Sequence, residues 1–407
     1  MNRRNFIENS GKNLALMGLA GLSAVGISGK TADSKVENAE QEVKNNRMLY
    51  RRLGKTGIEL PIVSMGVMNA NVPGLVKAAW EQGIRHFDTA WVYQNGNNEK
   101  MVGSVLHEIG AKREEVIIGT KALVSPRKGK DAKAELLRQL NESLSRLKMD
   151  YVDILYYHDT QSLEQINDPY IVEAFTELKE KKKIRFSGFS THVDWPDMVN
   201  DAAERKFYDV ILISYNYSMH NDQRVFDAIK KAYDSGIGLI AMKTQCQQGW
   251  YKRELSAEMQ SYYSEKNMNT ALLKWVLRNQ YITTAVPGFT TFDQLKEDIL
   301  VALNLDYTKE EENFLRSRNV KLAMQSVCRQ CGTCMNSCPY NVDIPSLMRT
   351  HMYLLSYGNP LMARITLDRI DSGNGLDKCA ACSNCTGRCR YNVPVSERIN
   401  ELKEILV

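Results

Sequence analysis

The sequence predicts an α/β fold, in which a (β/α)8 TIM barrel is followed by a small, mainly helical domain. Two observations lead to this prediction. Between residues 48 and 307, eight short β-rich runs alternate with amphipathic helical stretches. Beyond residue 308 the β-rich runs stop, and eight of the nine cysteines lie between Cys328 and Cys389. Eight strand–helix units in roughly 250 residues are typical of a TIM barrel.

The barrel strands are predicted from runs rich in β-branched and aromatic residues. A hairpin over Leu49–Leu60 precedes them. In Ala132–Leu147, leucines recur at helical spacing, which predicts an amphipathic helix. A doubly wound sheet is the competing fold, but no G-x-G-x-x-G sequence follows an early strand. The predicted strands are Pro61–Met68, His86–Ala90, Val116–Lys121, Val152–His158, Ile184–Ser190, Asp209–Tyr215, Gly238–Lys243 and Ile282–Gly288.

The C-terminal domain, residues 308–407, is predicted to be helical. One helix over Lys309–Lys321 leads into the first group of cysteines. Two short helices, Ser346–Ser356 and Pro360–Ile370, separate the two groups, and Ser396–Leu406 forms the last helix.

The first 27 residues are similar to a bacterial twin-arginine export signal. Arg3-Arg4 is followed by Phe6 and by a weakly apolar stretch rich in Gly and Ala, Leu14–Ile27, which is too short to span a membrane comfortably. Glu8 departs from the pattern, which usually has lysine there. Residues 28–47 are polar and are predicted to be a linker. We therefore expect export to the periplasm and no stable membrane span in the mature form; a cytoplasmic protein with a disordered tail is the alternative.

The charge pattern argues against a nucleic-acid partner. The net charge is +5, and the basic residues are scattered along the chain. The densest run, Lys179–Lys183, closes a predicted helix, where cations favour the dipole. It is interpreted as a solvated helix end.

The cysteines have the spacing of iron–sulfur ligands. Cys328, Cys331, Cys334 and Cys338 form a C-x2-C-x2-C-x3-C-P run, and Cys379, Cys382, Cys385 and Cys389 repeat the spacing with Arg390 in place of the proline. This spacing lets three thiolates from one loop reach one 4Fe–4S cubane. A structural zinc site is the alternative, but it needs only four ligands, usually in two separate pairs.

The segment resembles helical ferredoxin-type modules that carry two 4Fe–4S clusters, although the helical insert between the runs is longer than in compact bacterial ferredoxins. In two-cluster ferredoxins the fourth cysteine of each run binds the other cluster. The prediction is therefore one cluster on Cys328, Cys331, Cys334 and Cys389, and a second on Cys379, Cys382, Cys385 and Cys338.

Four polar residues are candidates for the active site, because TIM-barrel enzymes build their sites at the carboxyl ends of the strands. They are Asp88, Tyr93, Lys121 and His158. A tyrosine is a poor acid unless its anion is stabilised, and a neighbouring ammonium does that. An aspartate paired with the lysine would hold it charged, and the histidine would orient a substrate oxygen. Taken singly, each residue has an ordinary structural explanation, such as packing or a turn cap.

These residues lie in segments similar to the aldo-keto reductase family, over roughly Met48–Leu303. Phe87-Asp88-Thr89-Ala90 with Tyr93, Gly119-Thr120-Lys121, and Asp150 to His158 carry the resemblance. It implies a catalytic tetrad of Asp88, Tyr93, Lys121 and His158, with Tyr93 as general acid and base.

The segments that bind NAD(H) or NADP(H) in that family match less well. The resemblance implies cofactor contacts from Ser190, Gly288 and Glu297. Thr191, Leu212 and Met242 stand where the family has an asparagine, a glutamine and often a stacking aromatic. Gly288 and Gln294 replace the two cations that bind the 2′-phosphate of NADP, so a strong NADP preference is not expected.

The sequence thus predicts an oxidoreductase that interconverts a small-molecule carbonyl and an alcohol, with two 4Fe–4S clusters relaying electrons to or from a redox partner protein. Clusters pass single electrons, whereas nicotinamide transfers hydride, so a flavin or a radical-stabilising substrate would be needed to join them. Two alternatives stay open: an electron-transfer protein that uses the barrel as a docking scaffold, and a cluster-bearing sensor.

Overall fold

The computed structural model describes residues 47–124, 129–245, 267–380, 382 and 384–406. The predicted export signal, nearly all of the predicted linker and the isolated Cys246 lie outside these residues. Within them, no helix combines the length and the apolar character that a membrane crossing requires.

Eight parallel strands form the barrel, in the chain order of a TIM barrel. Its first and last strands are joined by a bridge between Val63 and Ala285, and the backbone N–H of Ser64 donates to the Ala285 carbonyl at 2.8 Å. The strands are β3 Met65–Gly66, β4 His86–Asp88, β5 Ile117–Ala122, β6 Val152–Thr160, β7 Ile184–Thr191, β8 Val210–Ser214, β9 Gly238–Met242 and β10 Thr284–Ala285. The predicted fold class is confirmed.

The predicted hairpin is also present, as strands β1 Tyr50–Arg52 and β2 Glu59–Pro61. Its apolar residues Leu53, Ile58 and Leu60 pack with the side chains that fill the barrel interior. A Cβ added at Gly238 would lie 2.5 Å from Leu53 Cδ1, so the start of β9 has room only for glycine. The hairpin therefore closes the end of the barrel opposite to the predicted site.

Helices surround the barrel, and each buries one apolar face, as the leucine stripe of the predicted helix Ala132–Leu147 indicates. The barrel helices are α1 Pro73–Glu81, α2 Asn97–Glu108, α3 Gly129–Leu147, α4 Leu163–Ile166, α5 Pro169–Glu180, α6 Pro196–Arg205, α7 Gln223–Ser235, α8 Asn267–Leu277 and α9 Phe292–Leu303.

The helix predicted over Lys309–Lys321 is two helices, because Ser317 has an extended ψ of 132° that interrupts the helix. Both pieces pack on α8 and Tyr217 of the barrel through Phe314, Val320 and Met324. The C-terminal helices are α10 Lys309–Arg316, α11 Arg318–Gln325, α12 Ile344–His351, α13 Pro360–Leu367, α14 Leu376–Ala380 and α15 Val395–Leu406, and α12 continues into a π-helical turn over Met352–Ser356.

The C-terminal helices cover the carboxyl ends of the barrel strands. Met352, Tyr353 and Met362 pack on Tyr93 and its neighbours. Arg329, next to the first cysteine, donates to the Asp222 carboxylate at 3.0 Å and to the Ser218 carbonyl, both on a barrel loop. The cysteine-rich domain therefore lies directly over the predicted catalytic end.

Candidate active site and cluster centre

Asp88 and Lys121 form a buried ion pair at the ends of β4 and β5. The Lys121 Nζ donates to Asp88 Oδ1 at 2.5 Å and to the Thr89 carbonyl at 2.5 Å. The Lys121 side chain is 1% exposed and the Asp88 side chain 5%. Burial raises the pKa of Asp88 and lowers the pKa of Lys121, and each shift is opposed by the charge of the partner. The pair therefore stays ionised only while both members are present.

Tyr93 lies against this pair, with the Lys121 Nζ 4.8 Å from the centre of its ring. Burial and the negative charges of Asp88 and Asp159 raise the pKa of the phenol well above its ordinary value. The sequence predicted that the neighbouring ammonium would lower that pKa by stabilising the phenolate. The structure differs because the ammonium is directed at Asp88 and at the Thr89 carbonyl. Tyr93 is thus a fully protonated donor at neutral pH.

His158 completes the predicted group of four. Its ring meets the Tyr93 ring edge to face, with centroids 5.9 Å apart. Burial and the nearby Lys121 charge lower its pKa well below the ordinary value, so the imidazole is neutral. Its Nδ1 has no hydrogen-bond partner among the described residues. The structure therefore brings Asp88, Tyr93, Lys121 and His158 together.

The strand that carries His158 runs two residues beyond its predicted end. Its pairing with β7 shifts between Tyr157 and Thr160, and Asp159 has a positive φ of 56°. This irregularity turns Asp159 away from the regular strand pattern and towards the C-terminal domain.

Asp159 is a buried carboxylate held by two arginines of that domain. Arg349 of α12 donates to Asp159 Oδ1 at 2.5 Å, and Arg369 donates to Oδ2. The two cations outweigh the effect of burial and lower the pKa of Asp159, so it is ionised. This contact anchors the C-terminal domain beside His158.

A cavity of about 110 Å³ opens above the ion pair and Tyr93. Barrel strand ends supply most of its wall, including Asp88, Tyr93 and Lys243. Tyr353 and Tyr357 of the C-terminal domain supply the rest. Two domains therefore build one cavity.

The three predicted cofactor residues lie in different settings. Gly288 lines the cavity. The Ser190 hydroxyl, which is buried outside that wall, accepts the backbone N–H of Asp159 at 3.0 Å. Glu297 is half-buried on α9, next to Asp298, whose carboxylate accepts a hydrogen bond from Gln245 in the cavity wall. Of the three, Gly288 alone borders the cavity.

The eight cysteines of the C-terminal domain form two groups. Burial raises the pKa of the Cys334 thiol to about 12, and its thiol neighbours Cys328, Cys389 and Cys331 contribute to the rise. Burial raises the pKa of Cys379 to about 11, and there the contributing neighbours are Cys385, Cys338 and Cys382. Each group thus contains three cysteines of one run and the last cysteine of the other.

A second, smaller cavity connects the first group of cysteines with the barrel. It is lined by Cys328, Gln330 and Arg349. It shares His192, Lys243 and Tyr357 with the cavity above Tyr93. Gln330 donates its side-chain amide to Cys328 Sγ at 3.3 Å.

Seven residues that join the two domains were not predicted from the sequence: Asp159, His192, Lys243, Arg349, Tyr353, Tyr357 and Arg369. Asp159 and Lys243 each stand at a strand end, a signal that was available. The partners in the C-terminal domain gave no signal, because the barrel residues that they contact lie far away in the chain.

Comparison with known proteins assigns both parts of the chain. The model of the Aldo/keto reductase family matches residues 67–318, and the model of the 4Fe-4S dicluster domain matches residues 327–394. An L-galactose dehydrogenase of Arabidopsis thaliana is 30% identical over 285 residues, covering 63% of this chain and 88% of that protein.

Two further relatives agree with the barrel. An L-glyceraldehyde 3-phosphate reductase of Escherichia coli (strain K12) is 25% identical over 323 residues, covering 65% of this chain and 90% of that protein. The holo form of an aldo-keto reductase from Bacillus halodurans superposes with a TM-score of 0.53 at 21% identity, covering 70% of this chain and 98% of that one. The last similarity supports the fold.

Proposed function

Because this chain belongs to the aldo/keto reductase family and carries a 4Fe-4S dicluster domain, we propose that it is an iron–sulfur oxidoreductase that interconverts a carbonyl and an alcohol. Reduction of a carbonyl takes up two electrons and two protons. In this proposal the barrel holds the small-molecule substrate and handles the protons, and the C-terminal domain connects the site to a redox partner protein.

Tyr93 is the proton donor and acceptor in the proposed reaction. Its phenol is protonated at neutral pH, it lines the cavity, and a neutral histidine lies beside it. Asp88 holds the Lys121 ammonium 4.8 Å from the centre of the Tyr93 ring. Proton transfer by such a positioned side chain contributes roughly 10² to 10⁴ to the rate.

Two adjacent cavities that share part of their walls give the proposal its main support. Cys328 borders the smaller cavity, which shares His192, Lys243 and Tyr357 with the cavity above Tyr93. A cluster ligand and the catalytic tyrosine are therefore separated by one shared wall. This arrangement supports electron transfer between the cluster domain and the barrel, rather than two independent activities on one chain.

The donor set fits two 4Fe–4S clusters, which supply single-electron transfer when bound. Cys328, Cys331, Cys334 and Cys389 would hold one cluster, next to the barrel. Cys379, Cys382, Cys385 and Cys338 would hold the other. The neighbours that raise the pKa of Cys334 and of Cys379 support this crossed arrangement over two clusters that each use one run.

A nicotinamide cofactor is expected to bind without preference for NADPH. At the two positions where the family has cations for the 2′-phosphate, Gly288 has no side chain, and the Gln294 side chain accepts the backbone N–H of Thr290 and caps α9. Titration of the purified protein with NADH and NADPH tests this expectation. A clear preference for NADPH would contradict it.

Replacement of Tyr93 by phenylalanine tests the proposed function. Anaerobically purified protein would be assayed on a panel of small aldehydes and ketones, with reduced methyl viologen or NADH as the electron donor. Tyr93→Phe is expected to lower turnover by roughly 10² to 10⁴, with unchanged iron and sulfide content.

Tyr156→Phe provides a matched control. Tyr156 is also buried, with the Lys121 Nζ 6.0 Å from its ring centre, but it lies outside the cavity wall and its hydroxyl has no partner among the described residues. Turnover should survive this change. Full turnover in Tyr93→Phe as well would instead favour an electron-transfer protein with a non-catalytic barrel.

A further inference from the structure

Lys243 is a lysine in a constrained and unusual position at the mouth of the barrel. It follows β9 directly and has a left-handed φ of 60°, a strained backbone conformation for a residue with a Cβ. Its Nζ lies 4.4 Å from the ring centre of Tyr353 and 4.7 Å from that of Tyr357. The surrounding structure therefore fixes this ammonium in the wall of both cavities.

The carboxylates near Lys243 are already paired with other cations. Asp88 is bound by Lys121, and Asp159 is bound by Arg349 and Arg369. Among the described residues, no carboxylate lies within ion-pair distance of Lys243. Of the described residues that line the two cavities, Lys243 and Arg349 are cations and Asp88 is a carboxylate, so the cations are in excess.

The electrostatics of Lys243 reflect this imbalance. Burial, together with repulsion from Arg349, lowers its pKa to about 7, against a smaller opposing effect of Asp159. His192, in the same walls, is kept neutral by burial and by the Lys243 charge. A bound anion would relieve the repulsion and keep the ammonium protonated.

From this geometry we infer that the cavity beside Tyr93 selects small carbonyl or alcohol substrates that carry an anionic oxygen group, a carboxylate or a phosphate, which binds Lys243. This inference rests on the proposed function, because it takes the Tyr93 side of the cavity as the reacting side. Both residues line one cavity of about 110 Å³, so the anionic group and the carbonyl lie only a few bonds apart in the substrate. The faces of Tyr353 and Tyr357 flank the ammonium of this half-buried lysine.

Binding of oxalate and of inorganic phosphate, measured by titration calorimetry without turnover, tests this inference. Wild-type protein should bind at least one of the two probes. Lys243→Met should weaken binding about tenfold or more, because a charge-assisted contact is lost. Lys243→Arg, which keeps the charge, should retain binding. Lys206→Met is the matched control, since Lys206 is an exposed lysine with a similar φ of 56°.

Two further comparisons complete the test. One separates a substrate anion from a dinucleotide phosphate, and the other separates this inference from the proposed function. Saturating NADH should leave probe binding intact; competition would show that Lys243 serves a dinucleotide phosphate, and would overturn the inference. No probe binding to the wild-type protein, or equal binding to folded, cluster-loaded Lys243→Met, would overturn it too. Because these titrations need no catalysis, they can succeed or fail independently of the Tyr93→Phe assay.

Discussion

At the scale of single residues, the Asp88–Lys121 pair has a proposed catalytic role, and it also makes the stability of the fold sensitive to substitution. Both side chains are almost completely buried, and Asp88 Oδ2 has no hydrogen-bond partner among the described residues. Removing one member of a buried ion pair leaves an uncompensated charge, whereas removing both can be nearly neutral.

We therefore expect Lys121→Met to lower the free energy of unfolding by about 3–5 kcal/mol. The double variant Asp88→Asn/Lys121→Met should recover most of that loss, yet remain inactive, since the positive charge beside Tyr93 is gone. Denaturant unfolding of the wild type, both single variants and the double variant measures the coupling. Additive losses would show that the pair is energetically independent.

At the scale of secondary structure elements, strand β6 carries a buried aspartate near each end, and each is bound by two arginines. Asp153, near the start of the strand, accepts from Arg113 at 2.8 Å and from Arg185 at 2.7 Å, all within the barrel. Asp159, near its end, accepts from Arg349 and Arg369 of the C-terminal domain. In TIM barrels the first end of a strand serves stability and the second end serves function.

This symmetry gives a matched pair of variants. Asp159→Asn and Asp153→Asn should each lower the free energy of unfolding, Asp159→Asn by about 3–5 kcal/mol because Arg349 is only 4% exposed. Asparagine tolerates the positive φ of Asp159, so the change isolates the charge. Turnover should fall in Asp159→Asn and persist in Asp153→Asn below the unfolding temperature. Equal turnover in the two variants would argue that the interdomain contact is only structural.

The same strand shows where sequence reasoning succeeds and where it stops. The run from Val152 to His158 predicts a buried strand from its composition alone. The two residues beyond it depend on the pairing shift at Asp159, which is stabilised by arginines 190 and 210 positions away in the chain. Helix α10 ends at Arg316 because the extended ψ of Ser317 interrupts it, and helical periodicity does not predict that backbone change.

At the scale of the whole molecule, the two groups of cysteines bring together two loops that are about fifty residues apart. Cys338 and Cys389 each end one run and lie with the thiols of the other group. The grouping was predicted from the resemblance to two-cluster ferredoxins, in which the fourth cysteine of each run binds the other cluster.

Paired serine substitutions distinguish crossed from uncrossed ligation. Cys331→Ser/Cys389→Ser removes two ligands from one predicted cluster, so about four irons per chain should remain. Cys331→Ser/Cys338→Ser removes one ligand from each, so both clusters should be weakened. Iron and acid-labile sulfide counts, with electron paramagnetic resonance of the reduced proteins, provide the measurement. The reverse pattern would show that each run binds its own cluster.

The placement of the cavity wall could not be predicted from either domain alone. The tetrad was predicted from strand ends together with the resemblance to aldo-keto reductases, and the thiol groups from cysteine spacing together with the resemblance to two-cluster ferredoxins. Tyr353 and Tyr357 share a cavity wall with Lys243 only because α12 and its π-helical turn lie across the barrel. No periodicity in either segment encodes that contact.

The described C-terminal residues that line the cavity above Tyr93, Tyr353 and Tyr357, lie between Cys338 and Cys379. Arg349, Tyr353, Tyr357 and Arg369 all belong to the chain segment strung between the two cysteine runs. Any group that holds the two cysteine runs in place therefore also holds the segment that covers Tyr93. A chain truncated just after the barrel would keep all four tetrad residues, but it would lack Tyr353 and Tyr357, and the cavity above Tyr93 would be exposed to solvent.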